Sequence, residues 1–340
     1  MLKLIASALF GAAFNLTSAP VIADEAAFYK NKQVSLIIAT GVGGGYDLYA
    51  RLVARHLGKH IPGNPNVVPQ NMNGGGGNTA AGYIYSTAPK DGSVIGAARA
   101  GVVLDPILLD KARINHDPRK FKWIGSAASD ALICVTNKDV AIKTFDDVFQ
   151  KEILLGVSGG TTRDYPQLMN KVLGTKFKLI AGYPGTRDVH LAMERKEVDG
   201  VCGMSWISIQ SQRPDWLKQE TVNFLVQEGS FDHPDLKAQG VPLSIEYAKT
   251  DTEKSVMKLL YTQNTYLRPF MTPPETPDQR VRTLREAFNK TLNDVDLLAE
   301  ASKAKLAIDA RSGEEVSAMV EEVFALPSSI HDQLRQALLN

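Results

Sequence analysis

Four short stretches gather the residue types that could hold or transform a small ligand. They are Gly41-Val42-Gly43-Gly44-Gly45-Tyr46-Asp47, the run from Gln70 to Thr79 with its four glycines Gly74 to Gly77, Ser158-Gly159-Gly160-Thr161-Thr162-Arg163-Asp164, and Gly182-Tyr183-Pro184-Gly185-Thr186-Arg187-Asp188. A glycine-rich turn that opens a helix lets the backbone approach a ligand and aims unpaired N–H groups at it, while the helix dipole favours negative charge there. One such turn alone reads as a tight connection. Four in matching contexts point to convergence on one anion. Tyr46, Asn71, Asn78, Ser158, Thr161, Thr162, Tyr183 and Thr186 supply hydrogen-bonding groups in or beside these turns. Arg163 and Arg187 supply guanidinium forks that match a carboxylate, although pairing with the adjacent Asp164 and Asp188 is equally compatible with the sequence. Asp47 and Asp188 open helices, where capping free N–H groups is the first role expected of a carboxylate.

Other chemistries find less support. Gly156-Val157-Ser158-Gly159-Gly160 satisfies G-x-S-x-G between a strand and a helix, the pattern of a nucleophile elbow. Pro166, eight residues on, falls where an elbow's helix should run uninterrupted and argues against it. Asp232, His233, Asp235 and His331 are the acid and base candidates that a hydrolase reading keeps available. Tyr46 stands where a dinucleotide fingerprint needs its third glycine, and no Gly-Lys-Ser/Thr phosphate loop occurs. His190 and Glu194 lie one helical turn apart without a third ligand in view, so a surface pair is expected rather than a metal site. No cofactor or metal is called for. Cys134 and Cys202 both lie in strand-like apolar runs, and two readings stand: one disulfide, or two buried small hydrophobes.

The elements that must position the four stretches alternate. Strands are expected at 34–38, 66–68, 93–96, 153–157, 177–180, from Val201, and at 222–226. Between the two pairs of units, 121–126 and 131–135 read as a crossing from one α/β lobe to another. The helix after Asp47 places Leu48, Leu52, Val53 and Leu57 on one face, and Pro166 is expected in the first turn of a helix reaching Leu173. Beyond Val226 the pattern is helical: Thr276-Pro277 opens a helix with a stripe of Val281, Leu284, Ala287, Phe288 and Leu292, followed by helices at 313–326 and 331–339 that are expected to dock on the first lobe. Alternation of this kind implies mainly parallel sheets with right-handed crossovers, and ligands bind beyond the carboxyl ends of such strands.

With 340 residues, 44% hydrophobic and 22% charged, the chain is long enough for two lobes and ordinary in composition. Thirty-eight basic against 37 acidic side chains leave a net charge of +1, which excludes a broad electrostatic footprint for nucleic acid or anionic lipid. Met1–Ala23 reads as a signal peptide, with one charge at Lys3, an apolar run Leu4–Phe14 and small residues Val21 and Ala23 before a cleavage site after about Ala23. An exported chain is therefore expected, with 37 basic and 37 acidic residues once Lys3 is removed.

In order and spacing these motifs resemble the Bug-type extracytoplasmic solute receptors of tripartite tricarboxylate transporters. Gln33–Ile38 leading to Gly43-Gly44-Gly45-Tyr46-Asp47 and Ala50-Arg51 is similar to the family's first strand, loop and Ala-Arg helix. Asn71, Gly74–Gly77 and Ala88-Pro89-Lys90-Asp91-Gly92 resemble its second loop and Pro-Asp-Gly turn; Ser158-Gly159, Tyr183, Gly185, Asp199 and Thr276-Pro277 continue the likeness. The resemblance implies a two-lobed, Venus-flytrap periplasmic-binding-protein fold of type II kind, with lobe 1 from 24 to 125 plus 228–340 and lobe 2 from 126 to 227. It implies a non-enzymatic, monomeric periplasmic receptor without cofactor, carrying a small organic carboxylate to a membrane permease. The implied ligand-binding set is Thr40, Gly43, Gly44, Gly45, Tyr46, Asp47, Asn71, Gly75, Gly76, Gly77, Asn78, Ser158, Thr161, Thr162, Arg163, Tyr183, Gly185, Thr186, Arg187 and Asp188. Departures fall at the ligand edge: Ala39-Thr40 for Pro-Phe, Pro184 for Lys, Thr161 for Gly, and the charged Arg187 and Asp188 for neutral residues. An aromatic or substituted acid therefore stands beside a di- or tricarboxylate. An exported serine hydrolase using Ser158 and a periplasmic sensor for a signalling kinase remain the alternatives.

Overall fold

The computed structural model describes residues 19–109 and 114–339; the segment assigned to a signal peptide lies outside the described residues as far as Ser18. A helix, Ala19–Tyr29, precedes the first strand. Glu25 is buried and pairs with Arg280, whose guanidinium also lies over the Phe28 ring at 3.6 Å.

Among the described residues eleven strands form two sheets. The first joins β1 (Gln33–Ile38), β2 (Asn66–Asn71), β3 (Val94–Ala97), β4 (Lys122–Ser126), β10 (Pro269–Thr272) and β11 (Arg311–Ser312) in the order β11-β4-β10-β3-β1-β2. The second joins β5 (Leu132–Asn137), β6 (Ile153–Val157), β7 (Phe177–Ala181), β8 (Gly200–Ser205) and β9 (Val222–Glu228) in the order β7-β6-β8-β5-β9. Each sheet has a parallel part, β2-β1-β3 in one and β7-β6-β8 in the other, and strands that enter antiparallel, β10 and β5. The sheets are thus mixed where the alternation alone predicts mainly parallel ones, and the parallel parts carry the glycine-rich turns.

Strand β10 is not announced by the sequence. It is four residues long, begins with a proline and runs into Pro273-Pro274, which masks it, yet it is fully buried between β3 and β4. The helix Gly45–Leu57 buries Tyr49, Leu52, Val53 and Leu57, whereas Leu48, expected on that face, is 39% exposed.

The helix of the third unit runs Thr161–Leu173, with Pro166 in its interior rather than its first turn. It starts early because the Thr162 hydroxyl accepts from the Ser158 N–H at 3.0 Å and donates to the Gly159 carbonyl at 2.9 Å. Pro166 then lacks only the hydrogen bond it would have donated to Thr162.

The helices Asp278–Leu292 and Gly313–Ala325 pack on β4, and Val295–Lys303 packs on Gly45–Leu57. Pro277 forms the N-cap of the first of these, one position before the expected place. The last helix, Ser328–Leu339, reaches both halves: Arg335 donates to the Ile107 carbonyl at 2.8 Å, and Gln167, on the helix after β6, donates to the Leu338 carbonyl at 2.9 Å. Tyr165 and Leu168 share one apolar cluster with Val256, Tyr261, Leu334 and Leu338.

Candidate functional site

A cleft of about 910 Å³ opens between the two sheets, at the carboxyl ends of β1, β3, β6, β7 and β8. Its size suits a small organic ligand. From the first sheet come the backbone of Gly43–Gly45, Tyr46 and Arg99; from the second come Thr161, Thr186, Arg187 and Ser205. The helices Gly45–Leu57, Thr161–Leu173 and Thr186–Glu194 all begin at this cleft, so their free N–H groups and positive dipole ends are concentrated there.

Of the residues singled out in the sequence, Gly43, Gly44, Gly45, Tyr46, Thr161, Gly185, Thr186 and Arg187 line the cleft. Thr40, Asp47, Asn71, Gly75, Gly76, Gly77, Asn78, Ser158, Thr162, Arg163, Tyr183 and Asp188 are not among its lining residues. Several of these shape the loops instead. Asp47 is 1% exposed and accepts from the Gly43 N–H at 2.9 Å, Arg51 Nε at 2.9 Å and Asn71 Nδ2 at 2.8 Å. Burial opposes its charge, but these three donors together hold the carboxyl below the ordinary aspartate value. Asn71 also donates to the Thr40 carbonyl, so the first two loops are laced together from behind.

The second loop is screened from the cleft by Arg99, whose Nε donates to the Gly76 carbonyl and whose Nη2 donates to both carboxylate oxygens of Asp105 at 2.9 and 3.1 Å. Asn78 donates to the same Asp105. Burial works against the Arg99 charge, and Asp105, Tyr46 and Asp164 together still raise its pKa above the ordinary arginine value.

The two arginines flagged in the sequence separate. Arg163 pairs with Asp164 at 2.7 Å, away from the cleft lining. Arg187 is exposed on the cleft and has no carboxylate within salt-bridge distance among the described residues. Sequence reasoning missed Arg99, Arg213 and Arg268, all cleft-lining. Arg99 stands two residues after the end of β3, in a fifth strand-to-small-residue turn, and that context was a usable signal. Arg213 is neutralised by Asp215 at 2.7 Å and Glu194 at 2.8 Å, which accounts for the acid of the His190–Glu194 pair. His190 itself is buried against Trp216, and burial and then Arg213 push its pKa down to about 4, leaving it neutral at pH 7.

Among the described residues Ser158 makes no hydrogen bond to a histidine; its hydroxyl lies 3.4 Å from Thr162 Oγ1. His233 and His331 are engaged elsewhere, at the Asp235 N–H and the Val323 carbonyl. The elbow therefore lacks its base, and the interior Pro166 is not the reason. Among the described residues no group of three His, Cys, Asp or Glu side chains is placed to hold a metal ion. Cys134 and Cys202 are joined by a disulfide between the neighbouring strands β5 and β8, next to the cleft-lining Gly203.

No family model matches the sequence. Over 173 residues the chain is 28% identical to the UPF0065 protein in the TAR-I ttuE-ttuC′ intergenic region of Agrobacterium vitis, covering 48% of this chain. The chain spans about half, 49%, of the length of that curated relative. Among solved structures, the periplasmic binding protein BugD superposes with a TM-score of 0.68 at 18% identity, covering 91% of this chain and 98% of its own. MatC from Rhodopseudomonas palustris, with bound malate, gives 0.64 at 18% identity over 90% and 99%. The fold is that of the two-lobed solute-binding proteins. In this solute-binding fold the two mixed sheets with flanking helices are the two lobes, and the cleft lies between them.

Proposed function

We propose that the chain is a non-enzymatic periplasmic receptor that captures a small organic carboxylate in the cleft, closes its two lobes over it and presents it to a permease of the tripartite tricarboxylate type. The observation that carries this reading is the meeting of three helix N-termini and their glycine-rich turns on one cleft of about 910 Å³, an arrangement that favours an anion. The likeness to BugD and to malate-bound MatC supports it. The lobes are taken as 24–125 with 228–340, and 126–227. The hinge is taken as the two segments that connect the sheets, after β4 and after β9, and export as following cleavage near Ala23. The ligand is bound by the loops around Gly43–Tyr46, Thr161 and Gly185–Arg187, with Asp47 and Asn71 holding the first of these in shape and Asn78 holding the second loop, Gly74–Gly77, behind it.

The test is thermal unfolding of the chain from Asp24 onward against malate, adipate, citrate, benzoate and phthalate. A ligand that binds only the folded state raises the midpoint by mass action. At least one acid is expected to do so, and Gly44→Val, which adds a side chain at the cleft wall, is expected to remove the shift. No shift with any organic acid would overturn the reading.

A further inference from the structure

Arg268 holds a buried positive charge with no counter-ion. The residue is 6% exposed, lines the cleft, and has no carboxylate within 4.0 Å among the described residues. Its Nε has no hydrogen-bond partner, and its one side-chain bond is from Nη1 to the Leu267 carbonyl at 3.2 Å. An acid that does interact with it through space is Asp130. That carboxyl is itself buried, and burial pushes its pKa up to about 7 against the pull of Ser205 and Arg268, so it is a weak source of negative charge at neutral pH.

A buried charge left alone is costly, and it persists where something else holds it in place. Here the guanidinium lies over the Tyr46 ring at 4.4 Å and within 5.2 Å of the Tyr49 ring. Tyr49 is fixed through its hydroxyl to the Ala307 carbonyl at 2.6 Å, and the Tyr46 hydroxyl accepts from the Ala100 N–H at 3.3 Å. The Arg268 backbone is clamped on both sides, its N–H to Ser126 Oγ at 3.1 Å and its carbonyl to the Ala127 N–H at 3.0 Å. Gly45, the first residue of the helix Gly45–Leu57, leaves the guanidinium room to approach the helix start closely: a Cβ there would stand 2.9 Å from Arg268 Nη2. A fixed guanidinium and the N-terminus of a 13-residue helix thus converge on one spot of the cleft wall.

We infer that Arg268 is the anchor of the ligand: a carboxylate pairs with its guanidinium at the N-terminus of the helix Gly45–Leu57. Arg187, on the opposite wall and exposed, is the subordinate cation. This inference rests on the receptor reading above for the identity of the ligand, but the state of the empty protein tests it independently.

The experiment compares the wild type with Arg268→Met, Arg268→Lys and Arg187→Met by calorimetric titration and thermal unfolding, using malate, adipate, citrate, benzoate and phthalate as probes. For every acid that binds the wild type, Arg268→Met is expected to weaken affinity by at least a hundredfold, Arg268→Lys to recover part of it, and Arg187→Met to cost tenfold or less. Without any acid, Arg268→Met is expected to unfold at or above the wild-type midpoint, because it removes an uncompensated charge. Retained affinity in Arg268→Met, or a larger loss in Arg187→Met, overturns the inference. If no acid binds the wild type, the receptor reading fails, and the empty proteins still decide: a midpoint several degrees lower in Arg268→Met would make the arginine a structural residue and overturn its assignment as an anchor.

Discussion

The Tyr165 hydroxyl donates to the side-chain carbonyl of Asn264 at 2.6 Å, inside the apolar cluster that connects the helix after β6 to the helices near the chain's end. Asn264 is fully buried, and its other groups are equally engaged. Its Nδ2 donates to the Glu228 carbonyl at 2.8 Å, and its backbone carbonyl accepts from the Asp130 N–H at 3.0 Å. One residue thus touches both segments that connect the two sheets and a helix of the second lobe.

Tyr165→Phe leaves the Asn264 oxygen without a donor in a site closed to water, at a cost of about 1–3 kcal/mol. Equilibrium urea unfolding should show that loss with an unchanged slope. A variant as stable as the wild type would mean that water reaches the site.

Glu228 predicts a dependence of stability on pH. It is fully buried beside the cleft floor, with Oε2 accepting from the Gly203 N–H at 2.5 Å and Oε1 unpartnered, and burial raises its pKa from 4.5 to about 8. The folded state therefore retains a proton that the unfolded chain releases above pH 4.5. This contribution is harmless below that pH, and stability falls as pH rises from about 4.5 to about 8. Asp130, raised to about 7, acts in the same direction. Glu228→Gln keeps an acceptor for Gly203 without an ionisable proton. Its stability should decline less than the wild type's between pH 5 and pH 8, by roughly a few kcal/mol. Parallel profiles for the two proteins would rule out a protonated Glu228.

The disulfide closes a loop with a sequence separation of 68 residues, which by loop-closure entropy is worth roughly 4 kcal/mol. Thiol titration of the oxidised protein in denaturant should find no free thiol, and the double variant Cys134→Ala, Cys202→Ala should unfold at markedly lower denaturant. Two titratable thiols in the protein as isolated from an oxidising compartment would contradict the bond.

Two glycines of the cleft should behave oppositely. Gly203 has a φ of +69°, and a Cβ there would stand 2.3 Å from the Thr161 backbone, so Gly203→Ala should cost at least several kcal/mol through overpacking and backbone strain. Gly44 has no neighbour within 4 Å of the Cβ position and a negative φ, so Gly44→Val should unfold within about 0.5 kcal/mol of the wild type. Urea midpoints of both variants provide the check.

Most of the scaffold was legible because strands such as Ile153–Val157 and helices such as Asp278–Leu292 carry their own period: Val281, Leu284, Ala287, Phe288 and Leu292 are all buried as spaced. The turns were legible because glycine marks them. What escaped was set by tertiary context. Pro269–Thr272 is too short and too rich in proline nearby to read as a strand, and with it went the residue just before it, Arg268, whose place in the cleft depends on that strand lying between β3 and β4. The second loop has the composition of a ligand loop, but Arg99, from a different turn, occupies the space in front of it. Pairing of Arg163 and not Arg187 with its neighbouring acid depends on side-chain direction, which adjacency in sequence does not specify.

The open space around Gly44 has a consequence for how such a protein diversifies. The covalent bond between β5 and β8, the Asn264 contacts and the Asp47 brackets lie behind the cleft, whereas Gly41 and Gly44 face room where a side chain meets nothing. Frame and recognition surface are therefore separable. Of the two, Gly44 lines the cleft, so a single substitution there can reshape the cleft wall while the parts that keep the protein folded go untouched, which makes it a natural entry point for redesign.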